Sequence, residues 1–198
     1  MHIGRLVVCL ALLSFFAGAA SAQEVGGSIV GVGGTTFMSE MAPAFGAEVE
    51  GRVSRNVGIY GSVGRMQNAL PSDAADAVEF ASLLIGVPMS VKMPVTYGTG
   101  GVKFIAPLGS VEAYGLAGAG IAQFKMNMDV AGISLPTSVL EDLTGDSLSA
   151  TKAMVEFGGG LAVLVGRARF DIGYRFGRPL VEDSFNMSRL QFGVGLGF

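Results

Sequence analysis

The chain closes on a two-faced ribbon. From Met187 to Phe198, Leu190, Phe192, Val194, Leu196 and Phe198 share one parity, and Arg189, Gln191, Gly193, Gly195 and Gly197 share the other. Successive side chains of a strand point to opposite faces, so residues 187–198 are predicted to form a strand with one apolar side and one small or polar side. An apolar strand left open at a chain end would recruit further strands and aggregate. A protein core or lipid must therefore cover it, and its edges must be paired.

The opposite end carries export features. Met1 to Arg5 form a short basic start, residues 6–17 are almost wholly apolar, and Ala20-Ser-Ala22 supplies small residues where a signal peptidase reads. We expect a signal peptide over residues 1–22, cleaved after Ala22, and one domain over residues 23–198. As an uncleaved anchor the apolar run falls short of the roughly 20 residues a spanning helix needs. Cys9 does not mark a lipoprotein signal, because Val7 and Val8 are not small and no apolar run fits upstream of it. Cleavage removes His2 and Cys9, the single histidine and cysteine of a chain that also lacks Trp. The mature protein then has no disulfide, so burial and backbone pairing must stabilise it. Loss of Arg5 takes the 13 basic residues to 12 against 16 acidic ones, moving the net charge from -3 to -4. That mild acidity argues against a nucleic-acid partner, which needs clustered Lys and Arg.

Composition points to a membrane protein without a membrane helix. The chain is 50% hydrophobic with a mean hydropathy of +0.54, and only 15% charged where soluble domains average about 25%. Beyond the expected signal, no run approaches the roughly 18 consecutive apolar residues of a helical span. The apolar residues are interleaved with 31 glycines, about twice the usual frequency. Transmembrane strands have this character.

Eight strands follow from alternation: 25–37, 45–53, 57–68, 94–106, 111–128, 151–165, a seventh after the Gly166-Arg167 turn, and 187–198. The facing of the first is not legible. In the third, Arg65 and Gln67 share parity with Val57 and Ile59, which implies a bulge or a water-exposed upper end. Ser54-Arg-Asn56, Pro107-Leu-Gly-Ser110 and Gly166-Arg167 read as tight turns, and residues 38–44, 69–93, 129–150 and 177–186 as longer connections. Short turns at one end and long loops at the other belong to transmembrane barrels. We therefore predict an all-β, eight-stranded antiparallel up-and-down barrel. Two loops carry helical patterns: residues 74–85 after Ser72-Asp73 as cap, with Ala77, Phe80 and Leu84 on one stripe, and residues 136–143 closed by Gly145. They read as rim helices or partner sites.

If the apolar parity faces lipid, then Glu48, Glu50, Arg52, Lys103, Gln123, Lys125, Glu156, Arg169, Asp171, Arg175, Arg189 and Gln191 face the lumen. Eight strands enclose a space just wide enough for side chains, and buried charges must be paired. Two readings follow: an interlocked ion-pair plug, or a narrow polar conduit for water or small ions.

The signal, the strand rhythm and the terminal Leu196-Gly-Phe198 resemble small outer-membrane barrels of the OmpA-like and OmpX-like class. Val57-Gly-Ile-Tyr-Gly-Ser-Val-Gly-Arg65, Tyr114-Gly-Leu-Ala-Gly-Ala-Gly120, Gly158-Gly-Gly160 and Asp171-Ile-Gly-Tyr-Arg175 are similar to strands of the generic outer-membrane β-barrel family. The resemblance implies residence in the outer membrane of a Gram-negative bacterium, with outer-membrane lipid as surroundings. It implies that Leu190, Phe192, Val194, Leu196 and Phe198 are read by the barrel-assembly machinery, with periplasmic chaperones escorting the chain. It also implies a barrel without the periplasmic peptidoglycan-binding domain that larger OmpA-like proteins append. Barrels of this class that are enzymes use a histidine, which the mature chain lacks, so no catalytic residue, metal or cofactor is expected. Tyr60 stands where a nucleophile elbow needs glycine, and Glu141-Asp142 and Glu182-Asp183 lie in loops. The alternatives are a surface adhesion or interaction protein acting through its outer loops, and a soluble exported lipocalin-like barrel binding a small apolar ligand. The weakly charged polar parity argues against the soluble one.

Overall fold

A computed structural model describes residues 26–131, 133–135, 149–180 and 185–198. The expected signal peptide, the helix expected over 136–143 and the acidic pairs Glu141-Asp142 and Glu182-Asp183 lie outside the described residues. Eight antiparallel strands form a closed barrel: β1 (Gly27–Phe37), β2 (Met41–Arg52), β3 (Val57–Met66), β5 (Val95–Leu108), β6 (Val111–Lys125), β9 (Ser149–Val165), β10 (Ala168–Pro179) and β11 (Met187–Gly197). Each pairs with its neighbour in sequence, and β11 returns to β1 in register from Ser28 opposite Gly197 to Thr36 opposite Arg189. Gly27 and Phe198 complete the seam by exchanging backbone hydrogen bonds of 2.7 and 2.9 Å. The terminal ribbon thus has no free edge, which is how closure removes the aggregation hazard.

One end of the barrel is trimmed to tight turns. Gly109 and Gly166 hold φ of 71° and 60° in the β5–β6 and β9–β10 turns, a left-handed conformation that costs a residue with a Cβ about 1–2 kcal/mol. The other end carries the additions. Helix α1 (Ser72–Ile85) follows β3, and β4 (Met89–Lys92), β7 (Asn127–Val130) and β8 (Ile133–Leu135) form a small separate sheet. Two expectations need correction here. The connection expected over residues 38–44 is a turn of residues 38–40, because β2 begins at Met41 and pairs with β1 from there. Ser72 does not cap α1: Pro71 holds that position without a side-chain bond, and Gly86 closes the helix with φ 71°.

The facing of each strand follows where the apolar parity lies in its lower part. Ile29, Val49, Ile59, Phe104, Leu161, Phe170, Ile172, Phe192 and Val194 are exposed around the outside, while Glu48, Glu50, Lys103, Glu156, Arg169 and Arg175 are buried within. In β1 the outward residues include Ile29, Gly31, Gly33 and Phe37 and the inward ones Ser28, Val30 and Thr36, so both parities carry apolar and small residues. That is why its facing is illegible in sequence. Ile172 lies near mid-height, opposite Leu161 and Phe192. Ile172→Arg is expected to cost about 2–4 kcal/mol in unfolding from a lipid bilayer, as a cation at the midplane does. The same change at Gln123 is expected to cost under about 1 kcal/mol, the value near the interface.

Gln123 marks a change of polarity. Arg65, Thr96, Gln123 and Thr151 stand in one outward row across β3, β5, β6 and β9, directly above Val63, Gly98, Ile121 and Ala153. On these strands the side chains that point outward from this row upward include Arg65, Gln67, Gln123 and Lys125, and those that point inward include Met66, Val95 and Phe124. Met66, Val95, Ala122, Phe124, Met154 and Met187 pack with Ala69, Leu70, Val91 and Met93 into a buried apolar cluster inside the outer end. Phe185 adds an edge-on ring contact to Phe124 at 5.7 Å. Seven of the chain's ten methionines belong to the cluster or pack against it. β3 is paired through Met66 without a bulge, so Arg65 is outward because the strand has risen into water.

Candidate functional site

The barrel interior holds ten ionisable acid and base side chains among the described residues: Glu48, Glu50, Glu112, Glu156 and Asp171 against Arg52, Lys103, Arg169, Arg175 and Arg189. All are buried except Arg52, which is half-buried at the short-turn end. The five acids balance the five bases, as a low-dielectric interior demands.

Glu48 sits at the centre. One carboxylate oxygen accepts from Lys103 Nζ at 2.7 Å and the other from Arg175 Nη2 at 2.7 Å. Lys103 also donates to Glu50 at 2.9 Å, and its ammonium lies 4.2 Å from the Tyr114 ring centre. Below, Glu112 accepts from Arg52 Nη2 at 2.5 Å and Arg169 Nη1 at 3.1 Å, while Arg169 Nη2 lies 3.5 Å from Glu50 and 3.6 Å from Asp171. Tyr114 donates its hydroxyl to Asp171 at 2.6 Å. Above, Glu156 accepts from Arg189 Nη2 at 2.5 Å, Tyr60 at 3.3 Å and Thr99 at 3.2 Å, and Thr99 shares a 2.7 Å bond with Ser62. Gln191 lies between two guanidinium groups. Its oxygen accepts from Arg189 Nε at 3.4 Å or, with the amide turned over, from Arg175 Nη2 and Nε at 3.2 and 3.3 Å. We favour the second orientation, which satisfies two buried donors.

Tyrosine rings fill the remaining width. Three of the four tyrosines point inward, with the Arg189 guanidinium 4.3 Å from the Tyr97 ring and that of Arg175 5.5 Å from Tyr114. Strand glycines provide their sockets. A Cβ on Gly118 would meet the Tyr60 hydroxyl at 2.4 Å, one on Gly64 the Tyr97 hydroxyl at 2.4 Å, and one on Gly173 the Tyr114 hydroxyl at 2.5 Å. A vestibule of about 210 Å³ beside Phe198 ends on Glu50, Arg52, Glu112 and Arg169. The network fills the middle and the apolar cluster fills the top. This arrangement braces a barrel, and no group of three or more His, Cys, Asp or Glu suited to a metal occurs among the described residues.

Of the twelve residues assigned to the lumen in sequence, Glu48, Glu50, Arg52, Lys103, Glu156, Arg169, Asp171, Arg175, Arg189 and Gln191 lie inside. Gln123 and Lys125 do not: both are exposed on the outward parity of β6, with Phe124 inside. The expectation that the apolar parity faces outward along a whole strand fails once β6 leaves the apolar layer. Sequence reasoning also missed Glu112, Tyr60, Tyr97, Tyr114, Ser62 and Thr99. Glu112 and Tyr114 alternate with Ala113, Gly115 and Ala117, so parity contained the signal, but small outward residues hid it. The exposed residues of the expected assembly signal are Phe192, Val194, Leu196 and Phe198, with Leu190 half-buried on the same side.

Known structures share this architecture. Ail, the attachment invasion locus protein of Yersinia pestis, superposes with a TM-score of 0.54 at 17% identity, covering 89% of this chain and all of Ail. Ail has also been solved in complex with the heparin analogue sucrose octasulfate. The N-terminal β-barrel domain of Pseudomonas aeruginosa OprF gives 0.52 at 13% identity, with 87% of this chain and 97% of that one covered. Neisserial surface protein A gives 0.50 at 12% identity, with 87% and 94% covered. No curated protein matches the chain. These likenesses concern fold. Sequence likeness is carried by a family model that spans residues 7–198, covering all eight strands and both faces described above. An apolar outer wall around a polar interior is the pattern of a transmembrane barrel, and the chain belongs to the outer membrane protein beta-barrel domain family.

Proposed function

We propose that the protein is a non-enzymatic, non-conducting barrel of the outer membrane that braces the envelope and works through its outer surface. The observation that carries this reading is the filled interior: a balanced ion-pair network topped by the apolar cluster of Met66, Val95, Phe124, Met154 and Met187. Ion passage would require separating paired buried charges and also opening a largely apolar plug. Export under a signal peptide of residues 1–22, and reading of Leu190, Phe192, Val194, Leu196 and Phe198 by the assembly machinery, complete the proposal.

Planar-bilayer recording tests the closed barrel. Purified protein is expected to give silent bilayers, and Glu48→Gln or Arg175→Gln no discrete steps. Unitary steps in the wild type that shift with either substitution would establish the conduit for water or small ions instead.

A further inference from the structure

Among the described residues, helix α1 has one face with no partner. It rests on the apolar cluster through Ala74, Ala75 and Val78. With 3.6 residues per turn, Ala77, Phe80, Leu83 and Leu84 fall on the far side. Phe80, Leu83, Leu84 and Ile85 are 64%, 76%, 72% and 66% exposed. The stripe of Ala77, Phe80 and Leu84 that marks the helix in sequence therefore points away from the barrel. A cluster of large apolar side chains displayed this way marks an interaction site.

Charge decides what covers it. The helix contains Asp73, Asp76 and Glu79 and no Lys or Arg. A helix laid into a membrane surface by its apolar face carries Lys or Arg on its polar face, so lipid suits this one poorly. On its other flank α1 borders a groove of about 550 Å³ shared with β4 and the β1–β2 turn. Leu70, Val78 and Val91 give the groove apolar walls, and Glu40, Asp76 and Glu79 line it with Lys92 as the single cation. Buried Asn68 also borders it, and its Oδ1 accepts from Leu70 N and Met93 N. An apolar surface joined to an acidic groove complements a ligand with apolar and basic side chains.

We propose that α1 and its groove dock a cationic amphipathic peptide segment, with apolar side chains on Phe80, Leu83 and Leu84 and basic ones against Glu40, Asp73, Asp76 and Glu79. This rests on the reading that the protein works through its outer surface, and it names the chemistry of the partner.

The absence of Trp from the chain allows a clean test. Phe80→Trp places a single indole on the exposed face, in protein reconstituted into phosphatidylcholine vesicles. The probe is a Trp-free 14-residue helix of Lys and Leu at amphipathic spacing, and the control replaces every Lys with Glu. Water-like emission is expected before addition, with a saturable blue shift from the Lys peptide and none from the Glu peptide. Adding Asp76→Asn and Glu79→Gln, both exposed and remote from the barrel core, is expected to raise the half-saturating concentration about tenfold, which corresponds to about 1.4 kcal/mol. Emission that is blue from the start and quenched by brominated acyl chains would mean that lipid covers the helix. Equal shifts from both peptides, or no weakening in the charge variant, would also overturn the proposal. Conductance of the same vesicles bears on the closed barrel alone, so the two ideas fail separately.

Discussion

Glu48→Gln is expected to destabilise the folded barrel by about 3–5 kcal/mol, the cost of breaking a buried ion pair from one side. Glu48 is the one carboxylate held by both Lys103 and Arg175, each at 2.7 Å, and both cations are 1% exposed. Removing its charge leaves Arg175 without an ion-pair partner and the interior with one excess positive charge. Urea unfolding in neutral detergent, followed by far-UV circular dichroism, measures the loss. Arg65→Gln serves as comparison, since Arg65 is exposed on the outward row, and a change within about 0.5 kcal/mol is expected for such a surface site. Similar midpoints for the two variants would show that the interior charges are solvated. Replacing Glu48 and Arg175 together by apolar residues of similar volume is expected to restore much of the loss, because Lys103 keeps Glu50 as its partner and the interior charges balance again.

Gly160→Val is expected to prevent the barrel from closing or to cost at least about 3 kcal/mol, the upper range for overpacking. An ideal Cβ on Gly160 would lie 2.2 Å from the Ile172 carbonyl oxygen, 2.6 Å from the Tyr114 hydroxyl and 2.8 Å from Gly173 Cα. Two of those neighbours are backbone of the adjoining strand and cannot swing aside. Tyr114 is in turn tied to Asp171 and lies under Lys103, so its displacement would also unpair the network. Gly33→Ala makes the contrast, because a Cβ there meets nothing within 4 Å. That change is expected to be neutral or stabilising by up to about 1 kcal/mol through lost unfolded-state freedom. Resistance of the folded barrel to cold SDS, read as a mobility shift on heating, reports both variants. A Gly160→Val protein that keeps the compact band at wild-type yield would show that the strands can separate there.

Much of the barrel was legible because its two determinants are local. Alternation with period two located all eight strands, and turn residues such as Gly, Pro, Asn and Ser located three of the connections. Boundaries were less legible. β2 begins at Met41 because Ala42, Pro43 and Ala44 pair with β1, and those residues do not announce a strand by propensity. The interior was legible where a strand lies within the apolar layer, as for Glu48 and Glu50 in β2 or Arg169, Asp171 and Arg175 in β10. It was misread for Gln123 and Lys125, where β6 has left that layer and the meaning of parity reverses.

From sequence alone came the class of the object: strands with one apolar face, and a last strand that demanded closure. These are properties of neighbouring residues, and the pleat converts them directly into faces. Tertiary structure decided the rest. It set which carboxylate meets which cation, since Glu48 and Arg175 are 127 residues apart and meet only across the closed barrel. It converted glycines that look like weak points in a strand into sockets for Tyr60, Tyr97 and Tyr114. It closed the outer end with methionines that carry no periodic signal of a plug, and it turned the apolar stripe of α1 outward. The physical reason is common to all four. Register and closure bring distant strands to one height, and only there do volume, charge balance and the edge of the apolar layer act on side chains together.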